Sequence, residues 1–251
     1  MSRITERIRS INANGKKAVI PYIPAGFPNK ETFWKLLEEM DAQGVAAIEI
    51  GIPFSDPVAD GSVVEAAALQ CLADGVTLAW TLDALKAHRG KIQAPLLFMG
   101  YYNSFLHYGL EKFAQEAADA GLAGMIIPDL PFEESEGARK ILNDAGIDLI
   151  PLVGINTPME RLKRYAEVEQ GFVYFVSVLG TTGVRDGFAE ELKECLQLAR
   201  SCFSIPLALG FGIKTPSQID GFGDLIDAGV IGSSLLQHIE KQGEVVSFFK
   251  K

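Results

Sequence analysis

A charged side chain interrupts an apolar run in the segment IEIGIPFSDPVADG, residues 48–61, where Glu49 stands between two isoleucines and Asp60 follows in the next loop. Burial disfavours an ionised carboxylate, so we expect a raised pKa for Glu49 and proton exchange near neutral pH. Asp60 lies in a loop before Gly61, and we expect it to stay ionised. Two carboxylates in such different surroundings form an acid and a base. Two other roles stay open from these residues alone: Glu49 could pair with a strand-end amide, and Asp60 could cap a helix that begins near residue 62.

Glycines and a serine follow two later apolar runs, in the segments GFG and GSS. Gly210, Gly212 and Gly232 leave room for a ligand to approach backbone amides closely, and Ser233 stands where a helix begins. Amides at a helix N-terminus carry partial positive charge and bind anions. The set therefore predicts a phosphate site, although each glycine taken singly is explained as well by a tight turn.

Eight short apolar runs alternate with helical patterns along the 251 residues. The runs span 17–27, 45–52, 94–102, 122–131, 147–153, 171–178, 205–212 and 228–232. The helical patterns span 29–44, 62–75, 78–90, 110–121, 133–146, 158–170 and 188–201, with a short helix from Thr215 and a last one from Ser233. Continuously apolar strands about 30 residues apart are typical of parallel βα units. The sequence predicts an α/β fold: one (β/α)₈ barrel over 1–251 with an extra N-terminal helix at 2–14, and its active site at the carboxyl ends of the strands.

Composition argues against several classes of protein. The net charge of −9 does not favour a nucleic-acid surface, and 48% hydrophobic with 22% charged residues suits a large core. No apolar run approaches the roughly 20 residues that span a bilayer, and the polar N-terminus lacks an apolar signal core. The three cysteines have neither paired nor metal-like spacing. We therefore expect a cytoplasmic protein with reduced thiols.

Other chemistries of this fold lack their residues. No strand has on its inner face the lysine that a Schiff-base aldolase needs, since Lys16 and Lys17 only precede the first strand. His88, His107 and His238 do not have the spacing of metal ligands. No nucleotide-binding or nucleophile-elbow motif occurs. Acid–base catalysis by carboxylates on a phosphorylated substrate, without a metal or a cofactor, is the chemistry that these residues favour.

The segment IEIGIPFSDPVADG resembles the signature of the tryptophan synthase α subunit family, a highly specific string of the form E-x-G-x-P-F-S-D-P-x-A-D-G. The resemblance covers the whole chain in the family's order and spacing. It includes the segments PYIPAGFP, YYNSFLHYGLEKF, GMIIPDLPFEE, GFGIKTP and VIGSSLL. The resemblance implies retro-aldol cleavage of indole-3-glycerol phosphate to indole and glyceraldehyde 3-phosphate.

The resemblance also implies roles for individual residues. Glu49 would carry the proton, and Asp60 would accept a hydrogen bond from the indole nitrogen. Tyr174 would orient Asp60 through its hydroxyl, and Tyr22 and Tyr101 would line the indole pocket. The positions that match the phosphate site of the family are Gly183, Gly210, Phe211, Gly212, Gly232 and Ser233.

A partner is implied as well: a β subunit that holds pyridoxal phosphate and consumes the indole in an α₂β₂ heterotetramer. The contact would involve residues 53–57, Asn103 with its neighbours, and the 129–132 turn. Three alternatives stay open. The chain could be a stand-alone lyase that releases free indole, or a non-enzymatic barrel that regulates the β subunit. It could also be a phosphate-binding isomerase of the same pathway, which would not require the whole motif.

Overall fold

The computed structural model of this chain describes residues 2–177, 186–210 and 212–250. Nine parallel strands form one sheet: β1 Ala18–Pro24, β2 Ile48–Gly51, β3 Leu96–Met99, β4 Gly124–Ile126, β5 Asp148–Leu149, β6 Leu152–Gly154, β7 Val173–Val176, β8 Leu207–Gly210 and β9 Ala228–Ile231. The helices are α1 Arg3–Ala13, α2 Lys30–Ala42, α3 Ser62–Ala73, α4 Leu78–Ala87, α5 Tyr102–Tyr108, α6 Leu110–Ala120, α7 Glu136–Asp144, α8 Met159–Ala166, α9 Asp186–Cys202 and α10 Ser233–Gln242. Two 3₁₀ segments, Phe132–Glu134 and Pro216–Leu225, complete the described elements.

The sheet closes into a barrel through β5 and β6. The strand order is β5-β4-β3-β2-β1-β9-β8-β7-β6, so these two segments are the ends of the sheet. Only Ile150 and Pro151 separate them along the chain. The Ile150 amide donates to Met125 on β4, and the Pro151 carbonyl accepts from the Tyr174 amide on β7, both at 2.9 Å. One stretch of chain therefore pairs first with β4 and then with β7. Counted as one strand of the barrel, β5 and β6 together bring the number of strands around it to eight.

The prediction of one strand over 147–153 was wrong in its continuity. The structure divides it into β5 and β6. Pro151 has no N–H to donate to either neighbouring strand, so the ladder is interrupted there.

Helix α5 was not predicted, because the segment Tyr102–Tyr108 is short and rich in aromatic residues. Its first N–H group, that of Tyr102, donates to Asp129 Oδ1 at 2.8 Å. The group that satisfies this free helix end comes from a distant loop, and it is invisible in the local sequence. The helix predicted from Thr215 is instead a 3₁₀ segment that kinks at Gly223.

Helix α1 seals the amino-terminal end of the barrel. Ile4 and Ile8 are fully buried and pack in one cluster with the inward side chains of the strands. Gly124 opens β4 where α1 approaches, because a Cβ there would lie 2.9 Å from Leu97 Cδ2 and 3.1 Å from Ile4 Cδ1. The amino-terminal mouth is thus filled with side chains, and the carboxyl ends of the strands are left to carry the site.

Local sequence signals begin several of the outer helices. Asn29 accepts from the Thr32 amide before α2, and Thr77 accepts from the Trp80 amide before α4. Such caps satisfy amides that have no partner within the helix. Of the described helices, no single one is long and apolar enough to cross a membrane; α3 and α4 meet the length and composition requirement only as a pair bent by 84°.

Candidate active site

Glu49 and Tyr22 lie side by side at the carboxyl end of the barrel. β1 and β2 run in parallel with Tyr22 in register with Glu49. Since side chains alternate along a strand, position 51 points to the same side as Glu49. A Cβ at Gly51 would lie 2.2 Å from the Tyr22 hydroxyl oxygen. Glycine after the sequence Glu-Ile is therefore needed for the Tyr22 ring to lie across β2 beside the carboxylate.

Glu49 is held in an environment that favours its neutral form. The residue is 2% exposed, and its Oε2 has no hydrogen-bonding partner among the described residues. Burial raises the pKa of Glu49 to about 8, and the charge of Asp60 adds to the effect. At neutral pH the side chain is therefore protonated, with a proton available for transfer. This oxygen does not have the strand-end amide that one alternative required.

Asp60 is held by Tyr101 at the end of the loop between β2 and α3. The Tyr101 hydroxyl donates to Asp60 Oδ2 at 3.2 Å and accepts from the Ala59 amide at 2.9 Å. Partial burial raises the pKa of Asp60 to about 6; the Tyr101 hydrogen bond opposes this rise and the charge of Glu65 adds to it. Asp60 is thus mainly ionised at pH 7. The N-cap residue before α3 is Gly61, and no side chain caps that helix, so the capping alternative is not realised.

Tyr174 lies on β7, close enough to both carboxylates to be influenced by their charges. Burial raises its pKa well above the ordinary value, and Glu49 and Asp60 raise it further. A Cβ at Gly210 on the neighbouring strand would lie 2.1 Å from the Tyr174 ring. Gly210, which the sequence assigned to phosphate, therefore also makes room for Tyr174. The hydrogen bond to Asp60 that the family resemblance implied for Tyr174 is made in this structure by Tyr101, because the loop after β2 brings Asp60 to the turn after β3.

The residues predicted for phosphate binding gather at the ends of β8 and β9 where the structure describes them. Gly212 has φ +90°, and Gly232 precedes α10, whose first residue is Ser233. Gly183 and Phe211 lie outside the described residues. Ser234, the next residue of α10, has an Oγ that is buried without a partner among the described residues.

Metal-ligating groups do not converge in the described part of the chain: no three His, Cys, Asp or Glu side chains are placed to hold an ion. His88 stacks on Trp34 with ring centroids 4.2 Å apart, and His238 lies near Glu244 and Ser247. The described residues at the barrel mouth include Glu49, Asp60 and three tyrosines, whose groups can take part in acid–base chemistry.

Comparison with known proteins agrees with this geometry. The family model for the tryptophan synthase alpha chain matches residues 8–247. The tryptophan synthase alpha chain of Solidesulfovibrio magneticus is 53% identical over 250 residues, which covers 100% of this chain and 98% of the relative.

The chain belongs to the tryptophan synthase alpha chain family.

Other members of the tryptophan synthase alpha chain family confirm the fold. The chain of Bacillus cereus is 39% identical over 247 residues and covers 98% of this chain and 96% of its own length. The crystal structure of the alpha subunit from Legionella pneumophila superposes with a TM-score of 0.86 at 32% identity, covering 96% of this chain and 90% of that one. The predicted family, barrel fold and lyase activity are confirmed. The roles of single residues and the extent of one domain over 1–251 stay predictions.

Proposed function

We propose that Glu49 and Asp60 carry out the cleavage of indole-3-glycerol phosphate to indole and glyceraldehyde 3-phosphate. The observation that carries the proposal is the pair itself: a neutral carboxylic acid with a pKa of about 8 beside an ionised one with a pKa of about 6, at the mouth of one barrel. Groups with pKa values on either side of neutrality can act together as acid and base.

Proton transfer at the ring begins the reaction. Neutral Glu49 gives its proton to indole C3, the carbon that bears the side chain, and the ring becomes an indoleninium ion. The ring N–H grows more acidic as positive charge develops. The Asp60 carboxylate accepts a hydrogen bond from this N–H and stabilises the charge.

Cleavage follows with the same glutamate. Glu49, now a carboxylate, takes the proton of the C3′ hydroxyl, and the C3–C3′ bond breaks. The electron pair of that bond returns to the ring and forms indole, and the C3′ carbon becomes the aldehyde. Glu49 ends protonated, so the cycle consumes no proton and needs no cofactor in this chain.

The aromatic side chains suit an indole ring. Tyr22, Tyr101 and Tyr174 are all buried around the two carboxylates, and Phe54 stacks on Tyr101 with ring centroids 5.1 Å apart. Such surfaces bind a flat bicyclic ring by packing. The phosphate of the substrate would bind the amides at the start of α10, with the glycines of the β8 and β9 loops beside it.

A β subunit that holds pyridoxal phosphate is the partner we propose, in an α₂β₂ heterotetramer in the cytoplasm. Val58 and Leu106 support a contact at the barrel mouth, because these large apolar side chains are 85% and 52% exposed. Both lie in the segments around residues 53–57 and Asn103. Burial of such side chains against a partner is favourable, and the net charge of −9 does not suit nucleic acid.

Indole release from indole-3-glycerol phosphate tests the proposal, with the purified chain alone and with a cognate β subunit. We expect slow release alone, faster release with the partner, and a loss of about 100-fold or more in Glu49→Gln and in Asp60→Asn. Glu38→Gln, an exposed glutamate on α2, is the matched control and should keep the wild-type rate.

The stand-alone lyase and the regulatory barrel each have their own outcome. Fast release by the chain alone with no response to the partner would identify the stand-alone lyase. No release under any condition, with stimulation of the β subunit, would identify the regulatory barrel. Full activity in either active-site variant would refute the assigned roles.

A further inference from the structure

Hydrogen bonds connect the turn after β4 to Asp60 through Tyr101. Asp129 Oδ1 accepts from the Tyr102 amide at 2.8 Å and so fixes the start of α5. Tyr101 is the residue before that helix. Its hydroxyl accepts from the Ala59 amide and donates to Asp60, at 2.9 and 3.2 Å. The loop after β2, the turn after β3 and the turn after β4 are thus joined through the side chains of Tyr101 and Asp129.

The Tyr101 ring has little freedom to move. The residue is 3% exposed, and Phe54 stacks on it at an interplanar angle of 25°. The turn before it is also constrained, because a Cβ at Gly100 would lie 2.9 Å from Phe105 Cζ and 3.1 Å from Ile52 Cβ. A rigid side chain that holds two atoms of a loop sets the position of the carboxylate in that loop.

We propose that Tyr101 is a positioning residue that holds Asp60 in place through its hydroxyl, and that Asp129 in turn fixes Tyr101. This inference rests on the proposed role of Asp60, and it assigns Tyr101 a function beyond lining the indole pocket. The turn that contains Asp129 is also part of the partner contact proposed above. The inference therefore connects that contact physically to the reaction.

The ring and the hydroxyl of Tyr101 have separable effects. Tyr101→Phe keeps the surface that packs against Phe54 and the indole, and it removes both hydrogen bonds. The Ala59 amide loses its acceptor, and ionised Asp60 loses a donor. Because a donor stabilises the ionised form, its loss raises the pKa of Asp60 above about 6. The other titratable groups that interact with Asp60 stay in place in the variant: Tyr22, Glu49, Glu65 and Tyr174.

Steady-state kinetics and amide exchange of Tyr101→Phe test the proposal, with Tyr108→Phe as the matched control. Tyr108 is the last residue of α5 and likewise donates to a carboxylate, that of Glu116, away from the site. We expect kcat to fall about 10-fold or more with KM changed less than about 3-fold, since a hydrogen bond to a charged group is lost while the packing surface remains. The acid limb of the pH profile should move up by about one pH unit, which corresponds to a tenfold weaker stabilisation of the ionised Asp60 carboxylate.

Hydrogen exchange gives a readout that does not depend on activity. In Tyr101→Phe the Ala59 amide should exchange faster than in the wild type, and in Tyr108→Phe it should not. An unmoved acid limb together with an unchanged Ala59 amide would overturn the proposal. Wild-type protein that does not cleave the substrate would refute the proposed function instead. Hydrogen exchange at Ala59 would still test the hydrogen bonds of Tyr101 in that case.

Substitutions at Asp129 test the second half of the connection. Asp129→Ala removes the oxygen that accepts from the Tyr102 amide, whereas Asp129→Asn keeps a side-chain oxygen that can accept this hydrogen bond. Without the partner, we expect Asp129→Ala to raise the acid limb and to speed exchange at Ala59, and Asp129→Asn to restore both. Wild-type values in Asp129→Ala would refute the role of Asp129.

Discussion

Replacing Glu49 by glutamine should stabilise the fold while abolishing the reaction. Folding takes this side chain from water, where its ordinary pKa is 4.5, into a site where the pKa is about 8. Below pH 4.5 both states are protonated and folding carries no ionisation cost. The cost grows as the pH rises and becomes constant above about 8, where both states are ionised. Stability is therefore lost between these two values.

The size of this effect follows from the two pKa values. Each unit corresponds to about 1.4 kcal/mol, so keeping Glu49 neutral costs about 3 kcal/mol at pH 7 and about 1 kcal/mol at pH 5. Glutamine has no proton to lose and carries no such cost. The unfolding free energy of Glu49→Gln minus that of the wild type should thus rise by about 2 kcal/mol from pH 5 to pH 7. Constant differences in packing cancel in this comparison.

Urea unfolding of both proteins at pH 5 and pH 7 measures this change. The slopes with urea should agree between the two proteins, so that the midpoints report stability. Glu38→Gln is the control, because it makes the same substitution at an exposed position on α2. If the difference for Glu49→Gln is the same at both pH values, the folded protein does not hold this glutamate neutral, and its role as proton donor fails.

Three further predictions follow from the site and the barrel. The pH profile of kcat/KM should be bell-shaped, with limbs near 6 for ionised Asp60 and near 8 for protonated Glu49; a kcat/KM that does not fall both below about 6 and above about 8 would contradict the assignment. Gly51→Ala should displace Tyr22, whose hydroxyl a Cβ would approach to 2.2 Å, and cost about 1–3 kcal/mol in urea unfolding, with Tyr22 turned away in a crystal structure of the variant. Ile8→Ala should cost about 2–5 kcal/mol in the same assay, since it empties space between α1 and the barrel; a loss below about 1 kcal/mol would show that α1 does not seal the core.

Local patterns in the sequence were enough to predict the barrel architecture and to single out the two carboxylates of the site. Continuously apolar runs between helical segments indicate strands buried on both faces, and eight such units fit a barrel. A glutamate within such a run has to be buried, so its raised pKa follows from the sequence position. The site at the carboxyl ends follows from the same fold. These inferences need only the order of residue types along the chain.

Tertiary structure decided how the site is assembled, because distances between loops depend on register and closure. At Pro151, which has no N–H to donate, the strand also changes partner from β4 to β7, and only the closed barrel shows that change. Helix α5 begins where Asp129, from another loop, accepts its first amide. Tyr101 and not Tyr174 donates a hydrogen bond to Asp60, because the loop after β2 lies against the turn that follows β3. Gly51 makes room for the ring of Tyr22, and Gly210 makes room for the ring of Tyr174. Each ring comes from a neighbouring strand, so the need for glycine depends on the register of the strands.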